Sequence, residues 1–116
     1  MIFKSEEKKG IIIETVILKR AIASEAEEFK LHFLNNIKPK IKNYIIDLSR
    51  CEYMDSSFLG SIIFIYKKIS ESGCNLKLVV KTQDIKILLE ITSINKFIDI
   101  YETRSEAIKN FSKKVL

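Results

Sequence analysis

The segment that decides the fold reads YIIDLS at residues 44–49 and, after a short loop, YMDSSFLG at residues 53–60. The first part is short, apolar and rich in β-branched residues, which is typical of a buried strand. In the second part Asp55 is placed to cap a helix, because its carboxylate can accept hydrogen bonds from first-turn N–H groups. A strongly apolar stretch then runs to Ser72 and Gly73, a natural helix C-cap. The segment therefore predicts a strand–loop–helix unit.

Strands and helices alternate on both sides of this unit. Apolar, β-branched runs predict further strands at residues 2–4, 11–19 and 76–80, and a short strand or extended link at residues 97–101. Helices are predicted from Ser24, with Glu27 completing a capping box, to near Pro39; over residues 84–91; and after Thr103, with Glu106 three residues on. The alternation predicts an α/β architecture with a partly parallel sheet, made mixed by an opening hairpin.

Length and composition narrow the class of protein. The 116 residues predict one domain, residues 1–116, and the 47% apolar content is that of an ordinary globular chain. The N-terminus lacks the apolar segment of a secretory signal, so we expect a cytoplasmic protein without a membrane partner. Cys51 and Cys74 are predicted to be buried thiols, His32 is predicted to be a surface or boundary residue, and no metal site is expected.

The net charge of +5 does not by itself indicate nucleic-acid binding. The lysines are scattered among glutamates, and aromatic residues do not alternate with basic ones as a base-stacking platform requires. The prediction is a lysine-rich surface without direct nucleic-acid contacts.

The helix after Asp55 has one residue out of place. At 100° per residue its apolar side chains form one broad arc, and Ser57, Ser61 and Lys68 lie on the opposite, polar side. Phe64 falls near the middle of the polar arc. Either Phe64 is covered by a neighbouring element or tolerated in water, or it anchors a partner protein. The arc consists of Phe58, Leu59, Ile62, Ile63, Ile65, Tyr66 and Ile69.

Ser57 lacks the surroundings of a catalytic nucleophile. No Gly-x-Ser-x-Gly elbow is present and the single histidine is distant in sequence, so the chain is predicted not to be an enzyme and to have no catalytic residue. Ser57 is then either an ordinary first-turn serine or a phosphate acceptor. A phosphate there would meet N–H groups and the positive end of the helix dipole, and the helix would stay folded.

These segments resemble the STAS domains, and more specifically the bacterial anti-sigma factor antagonists. The resemblance rests on a strand ending in Asp-Leu-Ser at residues 47–49 and on Asp-Ser-Ser at residues 55–57 at the start of a helix. Residues 88–94, 97–101 and 106–107 resemble the C-terminal half of the family, so the likeness extends from about residue 2 to 112. It implies a mixed sheet of four to five strands with an N-terminal hairpin and about four packed helices.

The resemblance also implies a mechanism. Such proteins bind an anti-sigma factor, often a serine kinase; the kinase phosphorylates a serine at this helix start and ends the complex, and a phosphatase restores it. The phosphate acceptor of the family corresponds to Ser57 in this sequence. The resemblance implies no cofactor, and it implies a monomer or weak dimer. The residues expected to contact the partner are Asp55, Ser56, Phe58, Ser61, Phe64 and Lys68.

Two alternatives remain open at this point. Phe58 replaces the glycine that usually follows the acceptor serine, and residues 19–23 lack an aspartate that the family often carries. Phe58 and Phe64 favour a constitutive scaffold or adaptor subunit of a signalling or lipid-transport complex that is not phosphorylated, because they suggest a permanent apolar contact. A small-molecule or nucleotide-binding domain, or an enzyme, is the second alternative, and no glycine-rich phosphate loop supports it.

Overall fold

The computed structural model describes residues 1–112, and its first two strands form a tight hairpin. Lys9 and Gly10 have positive φ angles of 54° and 76°, as a two-residue turn between antiparallel strands requires. The hairpin predicted near residues 2–19 is therefore present, with a longer first strand and a shorter second one. The strands are β1 (Phe3–Lys8), β2 (Ile11–Val16), β3 (Arg20–Ala21), β4 (Asn43–Asp47), β5 (Tyr53–Met54), β6 (Asn75–Val79) and β7 (Asp99–Tyr101).

Four helices alternate with the strands, as the apolar spacing predicts. They begin or end within a few residues of the expected positions, except that α1 stops well before Pro39. Glu106 N–H donates to Thr103 Oγ1 at 3.1 Å, which confirms the cap expected at the last helix. The helices are α1 (Ala23–Asn35), α2 (Ser56–Ser70), α3 (Gln83–Ile91) and α4 (Arg104–Ser112), with a short 3-10 turn at Ile94–Lys96.

Five strands form one mixed sheet in the order β1-β2-β4-β6-β7. β1 pairs with β2 antiparallel, and every other neighbouring pair is parallel. Helices connect the parallel strands and therefore run back from the carboxyl ends of the strands to their amino ends. The expectation of a mixed sheet with an N-terminal hairpin and four helices is confirmed.

Both faces of the sheet are covered, which explains why β2 and β4 are almost continuously apolar. Alternate residues point to opposite faces, so Ile12 joins the large core under α1 and α2, while Ile11 and Ile13 join a smaller core under α4. Ala107 of α4 is fully buried in that smaller core. Because α1 and α2 pack into the large core, their positions relative to the carboxyl edge of the sheet are fixed.

A separate two-stranded sheet was not expected from the sequence. β3 and β5 pair in parallel, with Arg20 opposite Tyr53 and Ala21 opposite Met54. Each strand has only two residues, too few for a period-two pattern to be recognised. β5 lies between the strand and the helix of the predicted strand–loop–helix unit, where a loop is expected, and its pairing with β3 brings the starts of α1 and α2 next to each other.

Candidate functional site

The carboxylate of Asp55 caps two helices at once. Phe58 N–H donates to Asp55 Oδ1 at 2.9 Å, which confirms the predicted cap of α2. Ala23 N–H, at the start of α1, donates to Asp55 Oδ2 at 2.9 Å. The backbone N–H of Asp55 in turn donates to the carbonyl of Ala21 at 3.1 Å. One side chain therefore holds both helix starts together.

The capping box predicted at Ser24 is wrong. α1 already begins at Ala23, and Ser24 Oγ donates to Glu25 Oε2 at 2.5 Å instead of capping the helix. The N–H of Ala23 is capped by Asp55, which lies 32 residues further along the chain. A local motif was overridden by a tertiary contact.

Ser56 and Ser57 occupy the first turn of α2, and both are exposed. The first-turn N–H groups of a helix have no acceptor within the helix, so an anion beside them is stabilised by hydrogen bonds and by the helix dipole. Two shallow grooves open on either side of this turn. The hydroxyl of Ser57 borders one groove, and Ser56 borders the other.

The first groove, of about 430 Å³, lies between α1 and α2. Phe64 is 46% exposed in it, two helical turns beyond Ser57. The ammonium of Lys30 from α1 lies 4.4 Å from the centroid of the Phe64 ring, and Lys30 Nζ is also 3.1 Å from Glu27 Oε1. The long, flexible side chain of Lys30 therefore covers only part of the Phe64 ring, and the rest of the ring presents a large apolar surface beside Ser57.

The second groove, of about 470 Å³, lies between the start of α2 and α3. Three apolar side chains at its border are exposed: Tyr53 (43%), Ile87 (42%) and Ile91 (76%). The guanidinium of Arg20 lies 4.6 Å from the centroid of the Tyr53 ring. Sequence reasoning missed this surface. The spacing of Ile87 and Ile91 was a usable signal, because both lie away from the inward-facing residues of α3.

Two residues expected at the partner surface are buried, and this corrects the prediction for them. Phe58 is 0% exposed and stacks on Phe29 with ring centroids 5.1 Å apart. Ser61 is 9% exposed, because its hydroxyl donates to the carbonyl of Ala26 at 2.8 Å and joins α1 to α2. A bulky residue is accommodated after Ser57 because that position faces the core, as the helical projection of the apolar arc already indicated.

Lys68 also lies apart from the other predicted contact residues. It is exposed in the last turn of α2, about 16 Å along the helix axis from Ser57 at 1.5 Å per residue. The structure therefore brings together Asp55, Ser56, Ser57 and Phe64, and leaves Lys68 at the other end of the helix.

The predictions for the cysteines and for His32 are met only in part. Cys51 is buried, and burial raises the pKa of its thiol to about 12. Cys74 is partly exposed rather than buried. His32 does lie at the boundary of the core, where its Nε2 is 2.7 Å from Oε1 of the buried Glu14, a contact that the sequence analysis did not foresee. Within residues 1–112, no helix is both long enough and apolar enough to span a bilayer.

Comparison with known proteins identifies the family to which this chain belongs. The family model for the STAS domain matches residues 6–107. A Thermotoga maritima protein provisionally named an anti-sigma factor antagonist is 33% identical over 108 residues, which cover 90% of this chain and 96% of that protein. The name describes a regulator rather than an enzyme.

Solved structures share the fold over nearly the whole chain. The crystal structure of TM1081 from Thermotoga maritima, also provisionally named an anti-sigma factor antagonist, superposes with a TM-score of 0.85 at 26% identity, covering 96% of this chain and 95% of that one. The phosphorylated form of SpoIIAA, a Bacillus cell-fate determinant, gives a TM-score of 0.72 at 14% identity, covering 94% and 98%. This chain therefore belongs to the STAS domain family.

Proposed function

We propose that this chain is an anti-sigma factor antagonist that binds an anti-sigma factor with serine kinase activity. The relatives that carry this functional name support the proposal. The proposed contact surface is the start of α2 with the apolar side chains on both sides of it: Phe64 in one groove, and Tyr53 and Ile91 at the other. Exposed aromatic and aliphatic side chains of this kind are the anchors on which protein interfaces depend.

Phosphorylation of Ser57 is the proposed switch. The observation that carries it is the exposed Ser57 in the first turn of α2, between the two apolar grooves. A phosphate would add close to two negative charges beside the carboxylate of Asp55, in the middle of the partner surface. Desolvating an unpaired phosphate in an interface costs several kcal/mol, and about 3 kcal/mol already weakens binding more than 100-fold.

The same modification leaves the fold intact, which a reversible switch requires. Asp55 Oδ1 accepts from Phe58 N–H, so the other N–H groups of the first turn remain available to a phosphate. A phosphatase that removes the phosphate then restores the surface for binding. SpoIIAA, which shares the fold, has been solved in unphosphorylated and phosphorylated forms.

The test is a pull-down from a lysate of the source organism in ATP or ADP, with the captured protein identified by mass spectrometry. We expect wild type and Ser57→Ala to retain a kinase-like anti-sigma factor, and Ser57→Asp to lose it. Ser105→Asp is the matched control, because it adds the same charge to an exposed serine in the first turn of α4, outside the proposed contact surface, and it should retain the partner. Phosphopeptide mapping after incubation with the captured kinase should find the phosphate on Ser57.

A second candidate function is a constitutive adaptor, and the exposed Phe64 favours it because a large apolar anchor suits a permanent contact. Phe64→Ala is expected to weaken binding under either function, whereas Leu31→Ala on the exposed part of α1 serves as its control. Equal capture of one partner by wild type, Ser57→Ala and Ser57→Asp would replace the switch by the adaptor.

A further inference from the structure

Five lysines from two separate segments, the end of β1 with the hairpin turn and the loop before β4, lie together at the end of the fold opposite to Ser57. We call this group the basic end; it consists of Lys8, Lys9, Lys38, Lys40 and Lys42. The hairpin turn follows β1, and Ile11 after the turn pairs with Asn43 at the start of β4, so the two segments are neighbours. Lys38 Nζ lies 3.1 Å from Glu7 Oε1, which joins them directly.

The basic end is strongly and almost uniformly positive. All five lysines are exposed, and Glu7 pairs only with Lys38 among them. The segments 8–10 and 36–43 contain no acidic residue. The last turn of α2 adds Lys67 and Lys68 near the same end, since Cys74, just after that helix, lies with its Sγ 3.7 Å from the carbonyl of Ile41. With the exposed Glu7 and Glu71 counted, the seven lysines leave an excess of five positive charges at this end of the fold.

The chemistry of the basic end narrows the class of partner. Neither segment contains an arginine or an aromatic residue, the residue types that bind phosphate in bidentate geometry and stack on bases. Among residues 1–112, none of the exposed large apolar side chains lies in these segments, so the core of a protein interface is missing too. Isolated ammonium groups on exposed loops suit a surface of diffuse negative charge, which needs neither directional hydrogen bonds nor an apolar anchor.

We propose that the basic end binds a surface of anionic phospholipid headgroups. Lysines near an anionic membrane surface each contribute about 1 kcal/mol of electrostatic attraction, and clusters of four to eight basic residues are typical of segments that bind such headgroups. Because the basic end lies at the amino ends of the parallel strands and Ser57 at the carboxyl edge, attachment leaves the start of α2 facing away from the lipid. The proposal stands independently of any role for Ser57.

The test uses the full chain and flotation with vesicles of phosphatidylcholine alone or mixed with an equal part of phosphatidylglycerol, at low ionic strength and at about 0.15 M salt. The variant Lys8→Gln/Lys9→Gln/Lys40→Gln/Lys42→Gln removes four charges from the basic end. The matched control removes four charges from exposed lysines elsewhere: Lys4→Gln/Lys19→Gln/Lys81→Gln/Lys96→Gln. Thermal melting checks that both variants fold.

The expected result is binding to the phosphatidylglycerol vesicles only, weakened by salt. The basic-end variant should lose about 100-fold in partition coefficient, and the control less than about tenfold. An equal loss in both variants would mean that net charge, not the basic end, is responsible, and would overturn the proposal. So would the absence of lipid binding at low salt, or displacement from the vesicles by a single-stranded oligonucleotide that binds through the same four lysines.

Discussion

Glu14 is a carboxylate inside the mostly apolar strand β2, and only 1% of its surface is exposed. Ser5 Oγ donates to Glu14 Oε2 at 2.8 Å, and His32 Nε2 lies 2.7 Å from Oε1. The ring of Phe3 packs against His32 with centroids 5.5 Å apart. Burial raises the pKa of Glu14 above its ordinary value of 4.5, although Ser5 and His32 act in the opposite direction. Its protonation is therefore coupled to folding.

This coupling predicts a pH dependence of stability. Between pH 4.5 and the raised pKa, the folded chain holds a proton on Glu14 that the unfolded chain has released. The contribution of Glu14 to the free energy of unfolding is then fully present below pH 4.5 and is lost as pH rises through the raised pKa. Urea denaturation from about pH 4 to 8 should show wild type losing stability relative to Glu14→Gln across this range.

Glu28→Gln is the matched control for this prediction, because Glu28 is an exposed glutamate on α1. Its stability should run parallel to that of wild type over the same range. A constant difference between wild type and Glu14→Gln at every pH would contradict the coupling.

At the scale of the element, α2 contains one glycine and is followed by another, with opposite consequences. Gly60 lies in the helix, is exposed, and a Cβ added there would meet no atom within 4 Å. Gly73 follows the helix with a φ of 76°, in the turn where Cys74 N–H donates to the carbonyl of Ile69 at 3.0 Å. Only the second position requires the left-handed backbone that glycine adopts without strain.

Alanine substitution should therefore shift stability in opposite directions at the two positions. Gly60→Ala is expected to stabilise the chain by about 1 kcal/mol, the difference in helix propensity. Gly73→Ala is expected to destabilise it by about 1 kcal/mol, because a side chain strains the left-handed conformation. The test is to measure the denaturation midpoints of both variants against wild type. Shifts of the same sign would contradict the helical role assigned to Gly60 or the left-handed role assigned to Gly73.

At the scale of the whole molecule, Arg104 ties α4 to three strands. Its Nε donates to Asp47 Oδ2 at 2.5 Å, its Nη1 to Glu6 Oε2 at 3.0 Å and its Nη2 to Thr15 Oγ1 at 2.5 Å. Asp47 is 3% exposed and ends β4. The planar guanidinium matches several acceptors at once, which a lysine ammonium does not. The sequence positions joined are up to 98 residues apart.

Arg104→Met should cost about 3 kcal/mol in unfolding free energy, since it leaves the buried carboxylate of Asp47 without its cation. Lys86→Met is the comparison, because it breaks an ion pair with the exposed Glu102 and should change stability far less. Asp47→Asn in the Arg104→Met background should recover part of the loss. Equal losses from Arg104→Met and Lys86→Met in urea denaturation would show that the buried network does not hold α4 to the sheet.

The sequence by itself determined those structural features that depend only on residues close to one another along the chain. The alternation of strands and helices, the cap at Asp55, the exposure of Ser57 and the outward position of Phe64 all follow from period, propensity and capping over a few residues. The resemblance to the family rests mainly on residues 47–49 and 55–57, and it could be recognised because both segments lie within one strand–loop–helix unit.

Only the tertiary structure decided which distant residues meet. In the folded chain the Ser61 hydroxyl is buried and donates to the carbonyl of Ala26, and the N–H of Ala23 donates to Asp55. Glu14 and His32 also come into contact. The fold also gathers lysines that look scattered along the chain into the basic end. These contacts depend on strand order and on the packing of helices over the sheet, and since burial and Coulomb energy depend on distance in space, no local pattern contains them.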